Sequence, residues 1–179
     1  MTGIKELTAD NWREPDEANA LFGEMNRVTG EARILTGDDW ARRFLAVELS
    51  DLVPDDVRTM WVAARGALLY GAFFYPLYAL GDEQLHRVAD AAVLHRYQQL
   101  NGPRHPSGQW PNLKPRLDWL IARGVISREL EQRWEAIRNL RNFASHATFQ
   151  HLEMPGQALQ TLHILREEID GLFATEPQP

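Results

Sequence analysis

Apolar residues recur at helical spacing in six stretches of this chain, and polar or glycine- and proline-rich segments separate them. In "TGDDWARRFLAVELSDL", Trp40, Phe44, Val47 and Leu52 mark one face, with Asp38 or Asp39 placed to cap the helix. Pro54, Asp55 and Asp56 open a second helix, because proline is tolerated in a first turn and carboxylates favour its positive end. The pattern carries that helix from Val57 toward Leu80, with a bend at Pro76 and a stop at Gly81. "DEQLHRVADAAVLHRYQQLNG" is a third helix, with Leu85, Val88 and Ala92 on its face and Gly102 as its stop. The turn-rich "NGPRHPSGQWPN" is a loop, and "NLKPRLDWLIARG" a short fourth helix ended by Gly124. A long fifth helix starts at Ser127 and Leu130, and "PGQALQTLHILREEIDGLF" is a sixth. No stretch alternates as a strand does, and no segment repeats. The expectation is an all-α bundle of five or six helices over residues 36–174. A loosely packed polar arm with one short helix (1–35) precedes it, and a frayed tail (175–179) follows.

Composition narrows the chemistry. The 179 residues include no cysteine, which excludes disulfides, thiolate nucleophiles and cysteine-ligated zinc. The first residues lack the basic-then-apolar pattern of a secretory signal. The most apolar run, "GALLYGAFFYPLYAL", is short for a membrane span and is interrupted by Pro76, so it reads as a core helix. These features predict a cytoplasmic protein with no membrane contact. A net charge of −6 argues against indiscriminate nucleic-acid binding, which depends on neutralising many phosphates. The charge is unevenly spread, however. From Arg104 to Arg141 there are eight basic residues and four acidic ones, so this span carries +4 on an otherwise acidic chain. Such a distribution permits a local anion site.

One segment of the basic span concentrates the candidate chemistry. "WEAIRNLRNFASHATFQH", from Trp134 to His151, sets arginines, asparagines, a serine and histidines into an apolar pattern. A helical projection places Leu130, Trp134, Ile137, Leu140, Ala144 and Ala147 on the core seam, with Arg141 at its edge. Ser145, Arg138, Asn142 and His146 continue around the helix as one polar arc. A guanidinium at the edge of a core seam costs free energy unless it is paired or meets a ligand. Asp90 and Glu48 are the leading candidates for the supporting carboxylate.

Within this segment "RNFASH" has an arginine, a polar residue, three more residues and then a histidine, on the penultimate long helix of a helical chain. It resembles the motif of the HEPN superfamily, in which four to six residues separate the arginine from the histidine. The resemblance covers Asp38 to Phe173, with the six-residue core as its diagnostic part. It implies a metal-independent endoribonuclease with no cofactor, a prokaryotic toxin or defence effector whose paired motifs form a cleft across a homodimer. RNA would be the substrate, and an antitoxin or defence-system protein a further partner. Carried onto this chain, Arg141 would neutralise the scissile phosphate, His146 would move a proton, and Asn142 would orient the histidine or the phosphate. Arg138 is a candidate for the substrate backbone that the family motif does not require. Toxin members of one branch carry a tyrosine two residues beyond the histidine, where this chain has Thr148, so tyrosine modification is not implied. The alternative implied by the same family is a non-catalytic module that dimerises or binds a nucleotide or a partner protein.

Other candidates are weaker. His86 and Asp90 share a helix face, but two side chains do not make a metal site. His146 and His151 are five apart, off the spacing of helical zinc pairs. The aromatic run Tyr70, Phe73, Phe74, Tyr75 and Tyr78 suits packing better than base stacking.

Overall fold

The computed structural model describes residues 4–26, 28–145 and 152–174, except the side chains of residues 144 and 145. Six α-helices dominate it: α1 (Gly37–Leu45), α2 (Asp55–Tyr70), α3 (Leu77–Gln99), α4 (Leu113–Ala122), α5 (Glu131–Ser145) and α6 (Pro155–Ala174). The fold is therefore an all-α bundle. The long helix α3 is its centre and packs against α2, α4, α5 and α6. Its Leu85, Val88, Ala89, Ala92 and Val93 meet Trp61 and Leu68 of α2 and Leu162, Leu165 and Ile169 of α6 in one buried cluster. Fully burying each large side chain of this kind contributes roughly 1.5–3 kcal/mol. No described helix is long and apolar enough to cross a membrane.

The helix ends differ from the expected ones for identifiable reasons. Helix α1 is capped not by Asp38 or Asp39 but by Thr36, whose hydroxyl accepts from the Asp39 N–H while the Asp39 carboxylate accepts from the Thr36 N–H. Trp40, Phe44 and Val47 are buried as expected, whereas Leu52 is exposed. The expected bent helix from Val57 to Leu80 is two helices. α2 stops at Tyr70, and Pro76 starts α3 rather than bending α2, its missing N–H costing nothing at a helix start. Gly81 lies inside α3. A Cβ there would sit 2.5 Å from Leu68 Cδ2, so this glycine permits the close crossing of α2 and α3 rather than ending a helix. The aromatic run divides accordingly: Tyr78 is buried against Phe44 and Tyr75, while Tyr70 stays largely exposed.

The amino-terminal arm is exposed over most of its length but anchored at a few polar points. It contains a 3-10 turn (Glu17–Leu21) and a small antiparallel pair, β1 (Gly23–Met25) with β2 (Ala32–Ile34). Buried polar groups fix it to the α2–α3 turn. Asp16 accepts from the Tyr75 N–H at 2.8 Å, and Asn19 donates to the Gly71 and Ala72 carbonyls and accepts from the Tyr78 hydroxyl. Lys5 adds a bond to the Phe73 carbonyl at 3.2 Å. Polarity here serves closure of the turn, which hydrophobic periodicity cannot reveal.

Candidate functional site

On α5, Trp134 and Ile137 are buried, but Leu140 is 52% exposed and does not belong to the core seam. Helical geometry explains the correction. With about 100° per residue, position 141 falls between 134 and 137, and position 140 lies roughly a quarter turn to one side. Arg141 thus occupies the seam itself, at a point where apolar packing gives way to charge. Its side chain, 38% exposed, extends to α3 and places Nη2 at 3.2 Å from Asp90 Oδ2.

Asp90 is shared. Its other oxygen accepts from Arg116 Nη2 at 2.7 Å, and Arg116 Nη1 reaches the Asp90 carbonyl at 3.3 Å. Arg116 belongs to the first turn of α4 and is 7% exposed. One carboxylate on α3 therefore ties α4 to α5 through two arginines. This is a costly arrangement unless geometry and further hydrogen bonds repay the desolvation, and removing one partner leaves a buried charge unpaired.

Beside this junction lies a cleft of about 440 Å³ lined by Asp90, Asn112, Leu113, Lys114, Pro115, Arg116, Arg138, Arg141 and Asn142. Four of these residues are cations and one is a carboxylate. Lys114 is paired with Asp118 at 2.5 Å, a hydrogen bond that raises the ammonium's pKa. Arg138 is paired with Glu135 on its own helix, and that bond holds the Glu135 carboxyl below its ordinary value. Arg141 Nη1 also approaches Asn142 Oδ1 at 3.5 Å, so these two side chains orient each other. Chemically, the cleft suits an oxyanion: fixed guanidiniums offer forked donors, and neighbouring cations raise the local potential.

The structure thus brings Arg138, Arg141, Asn142 and Asp90 together. Glu48 is elsewhere, 3.4 Å from Arg65 at the α1–α2 junction, and is not a partner of Arg141. It borders a larger hollow of about 550 Å³, whose other carboxylates, Asp51 and Asp55, already pair with Arg58 and whose charge does not suit an anion. His146, Ala147, Thr148, His151 and residues 175–179 lie outside the described residues, as do the side chains of Ala144 and Ser145. His86, one turn from Asp90 on α3, faces Asp82 at 3.4 Å instead of the cleft. Among the described residues no three histidine, aspartate or glutamate side chains are grouped to hold a metal ion.

Sequence reasoning missed the α4 wall. Its signal was available in "NLKPR": Lys114 and Arg116 stand in the first turn of a helix that has no acidic residue there. Cations at the positive end of a helix are unfavourable by roughly 0.3–1 kcal/mol each, so a pair of them calls for a countercharge. Comparison with family models, curated proteins and solved structures finds no match to this chain.

Proposed function

We propose that this protein is an HEPN-type, metal-independent endoribonuclease, a prokaryotic toxin or defence effector that cleaves RNA and works as a homodimer in the cytoplasm. The observation that carries this reading is the placement of Arg141, the arginine of the R-x4-H motif, in a cationic cleft and held by Asp90. A motif arising by chance on a solvated helix face would have no reason to line such a cleft. In this reading, His146 or its counterpart takes the proton of the ribose 2′-hydroxyl as that oxygen attacks phosphorus. The bond to the 5′-oxygen breaks, that oxygen takes a proton from the His146 of the other copy in its protonated form, and a 2′,3′-cyclic phosphate remains. Arg141 offsets the charge that develops on the phosphate oxygens, the contribution that usually dominates such sites. Asn142 orients the arginine or the histidine, and Arg138 meets the RNA backbone once it exchanges Glu135 for phosphate. Exposed Leu140 and Phe143, with Ala136, form an apolar stripe on another side of α5 that supports contact with a second copy.

The experiment is cleavage of single-stranded RNA in the presence of a chelator, followed by analysis of product ends. Cyclic phosphate ends that vanish with His146→Ala support the reading. Equal degradation by wild type and variant rejects it. A second reading, a non-catalytic HEPN-like module that binds a nucleotide or a partner, draws on the ion pair itself. Asp90 gives Arg141 a helix-joining role that requires no reaction. A pure dimer that binds phosphate yet leaves every RNA intact would favour that module.

A further inference from the structure

The cleft does not account for all the cations of the basic span. Two further arginines lie over indole rings. The Arg104 guanidinium carbon is 3.8 Å from the centre of Trp110, and that of Arg123 is 4.8 Å from the centre of Trp119. Both indoles meet the buried Tyr97 ring edge-on, with centres 6.2 Å and 4.9 Å from it, so one residue of α3 sets the two stacks side by side. The loop between α3 and α4 is tied in the same place. The Tyr97 hydroxyl donates to the Pro103 carbonyl at 2.7 Å, and Arg104 Nη1 donates to the Gly108 carbonyl at 3.1 Å. Both arginines are exposed, and among the described residues neither pairs with a carboxylate.

An exposed guanidinium stacked on an indole still offers its second face to a flat ring and its N–H edge to an anion. A nucleotide supplies both, a base and a phosphate, in one unit. Because the indole and the loop already hold Arg104, little side-chain freedom remains to be lost on binding. The surroundings fit the same ligand. Asp118 is the only carboxylate between residues 101 and 128, and it is paired with Lys114. No large apolar side chain of that stretch is exposed, so a protein partner finds no apolar anchor there. The stretch also runs directly into the cleft, which Asn112 and Lys114 line just after Trp110.

We propose that the two stacks, Arg104 on Trp110 and Arg123 on Trp119, are a binding surface for single-stranded RNA beside the cleft. Each arginine takes a base on its outer face and a backbone phosphate at its edge. The choice of RNA rests on the ribonuclease reading, but binding here does not depend on cleavage. Stacking is tolerant of base identity, so the surface holds a strand without selecting its sequence.

The test uses a short 2′-O-methyl oligoadenylate, which stacks well and lacks the free 2′-hydroxyl that cleavage needs. Its binding is followed by fluorescence anisotropy, at low and at raised salt. Saturable binding is expected, and Arg104→Ala and Arg123→Ala, both at exposed positions, should each weaken it on the order of tenfold. Arg104→Lys keeps the charge but loses the plane, so it should bind about as weakly as Arg104→Ala. These differences should persist at raised salt, where phosphate contacts fade. Arg42→Ala, on exposed α1 far along the chain, should bind like wild type. Absence of saturable binding, or an unchanged affinity in Arg104→Ala or Arg123→Ala, would overturn the proposal. So would an equal loss in Arg42→Ala, which would mark unspecific attraction. Full rescue by Arg104→Lys would also overturn it, because charge alone is what an acidic protein partner would read. Cleavage of RNA together with binding indifferent to these arginines would discard this surface and leave the ribonuclease reading standing. Binding that depends on them, with no cleavage of any RNA, would do the reverse.

Discussion

Two of the regions that bury polar groups, the arm and the cleft, do so in opposite ways. At the arm, the Asp16 carboxylate meets the Ala18 and Tyr75 amides, and the Asn19 amide spans the Gly71 and Ala72 carbonyls and the Tyr78 hydroxyl. Asp16 and Asn19 find all their partners inside the protein, and the result is a closed joint. At the cleft, one carboxylate serves two arginines, two more cations stand nearby, and Arg116 Nε is left over. Buried polarity that is saturated builds architecture. A largely buried carboxylate shared by two guanidiniums at the rim of a cleft, as Asp90 is, leaves donor groups turned toward open space.

This contrast can be broken by mutation, and the largest effect is expected in the chemistry. On the proposed ribonuclease reading, His146→Ala should lower the rate of RNA cleavage by roughly 10²–10⁴, the usual scale for a lost proton-transfer group. Arg141→Ala should lower it by roughly 10²–10³, the scale of a lost oxyanion donor, and Arg141→Lys should restore only part because a point charge lacks the guanidinium fork. Initial rates on a defined RNA, with circular dichroism to verify folding, provide the check. A cleft variant that cleaved normally would reduce the Arg141–Asp90 pair to the same architectural class as the arm.

Stability should respond next. Asp90→Ala leaves Arg116 buried without a counter-ion and should cost about 3–5 kcal/mol, the scale for breaking a buried pair. Denaturant unfolding measures it, and a loss below 1 kcal/mol would mean that water enters the cleft freely enough to solvate both arginines. Asn19→Ala should cost roughly 1–3 kcal/mol by leaving the Tyr78 hydroxyl and the Gly71 carbonyl unsatisfied, the Ala72 carbonyl keeping the Asp16 N–H, while the guanidinium NMR signals of Arg116 and Arg141 at the cleft stay unchanged. If Asn19→Ala shifted those guanidinium signals, the two regions would be coupled and the contrast between them would fail.

The smallest effect concerns a third polar group. Half-buried Glu153, just ahead of α6, has its pKa raised to about 7 by burial first and then by the charge of Asp82, partly opposed by His86. Burial raises the pKa of the Tyr75 hydroxyl, and the charge of Glu153 adds to that rise. Because its folded-state pKa lies above the ordinary 4.5, its contribution to stability is full below about pH 4.5 and is lost as pH rises through 7. Stability should therefore decline between pH 5 and pH 8. Each kcal/mol of this penalty lowers Tm by roughly 2–4 °C in a chain of this size. Glu153→Gln should flatten the decline, and a melting profile equally steep in the variant would assign it to other groups.

Much of this was legible in the sequence. Helical periodicity depends on local spacing, so the number of helices and most of their apolar faces followed from the chain alone. The same spacing puts Arg141 at the margin of the apolar face of α5, although it also put Leu140 on that face, where the packing leaves it exposed. Tertiary structure decided the rest. Whether Gly81 ends a helix or lets two cross depends on the approach of Leu68, which no local rule contains. Whether Arg141 pairs with Asp90 or Glu48 depends on which carboxylate α3 and α1 bring within reach, and only Asp90 arrives. Arg116 joins the cleft from 25 residues upstream of Arg141, so its part was set by how α4 packs on α3. Local spacing determines what a helix presents, and long-range packing determines what it meets.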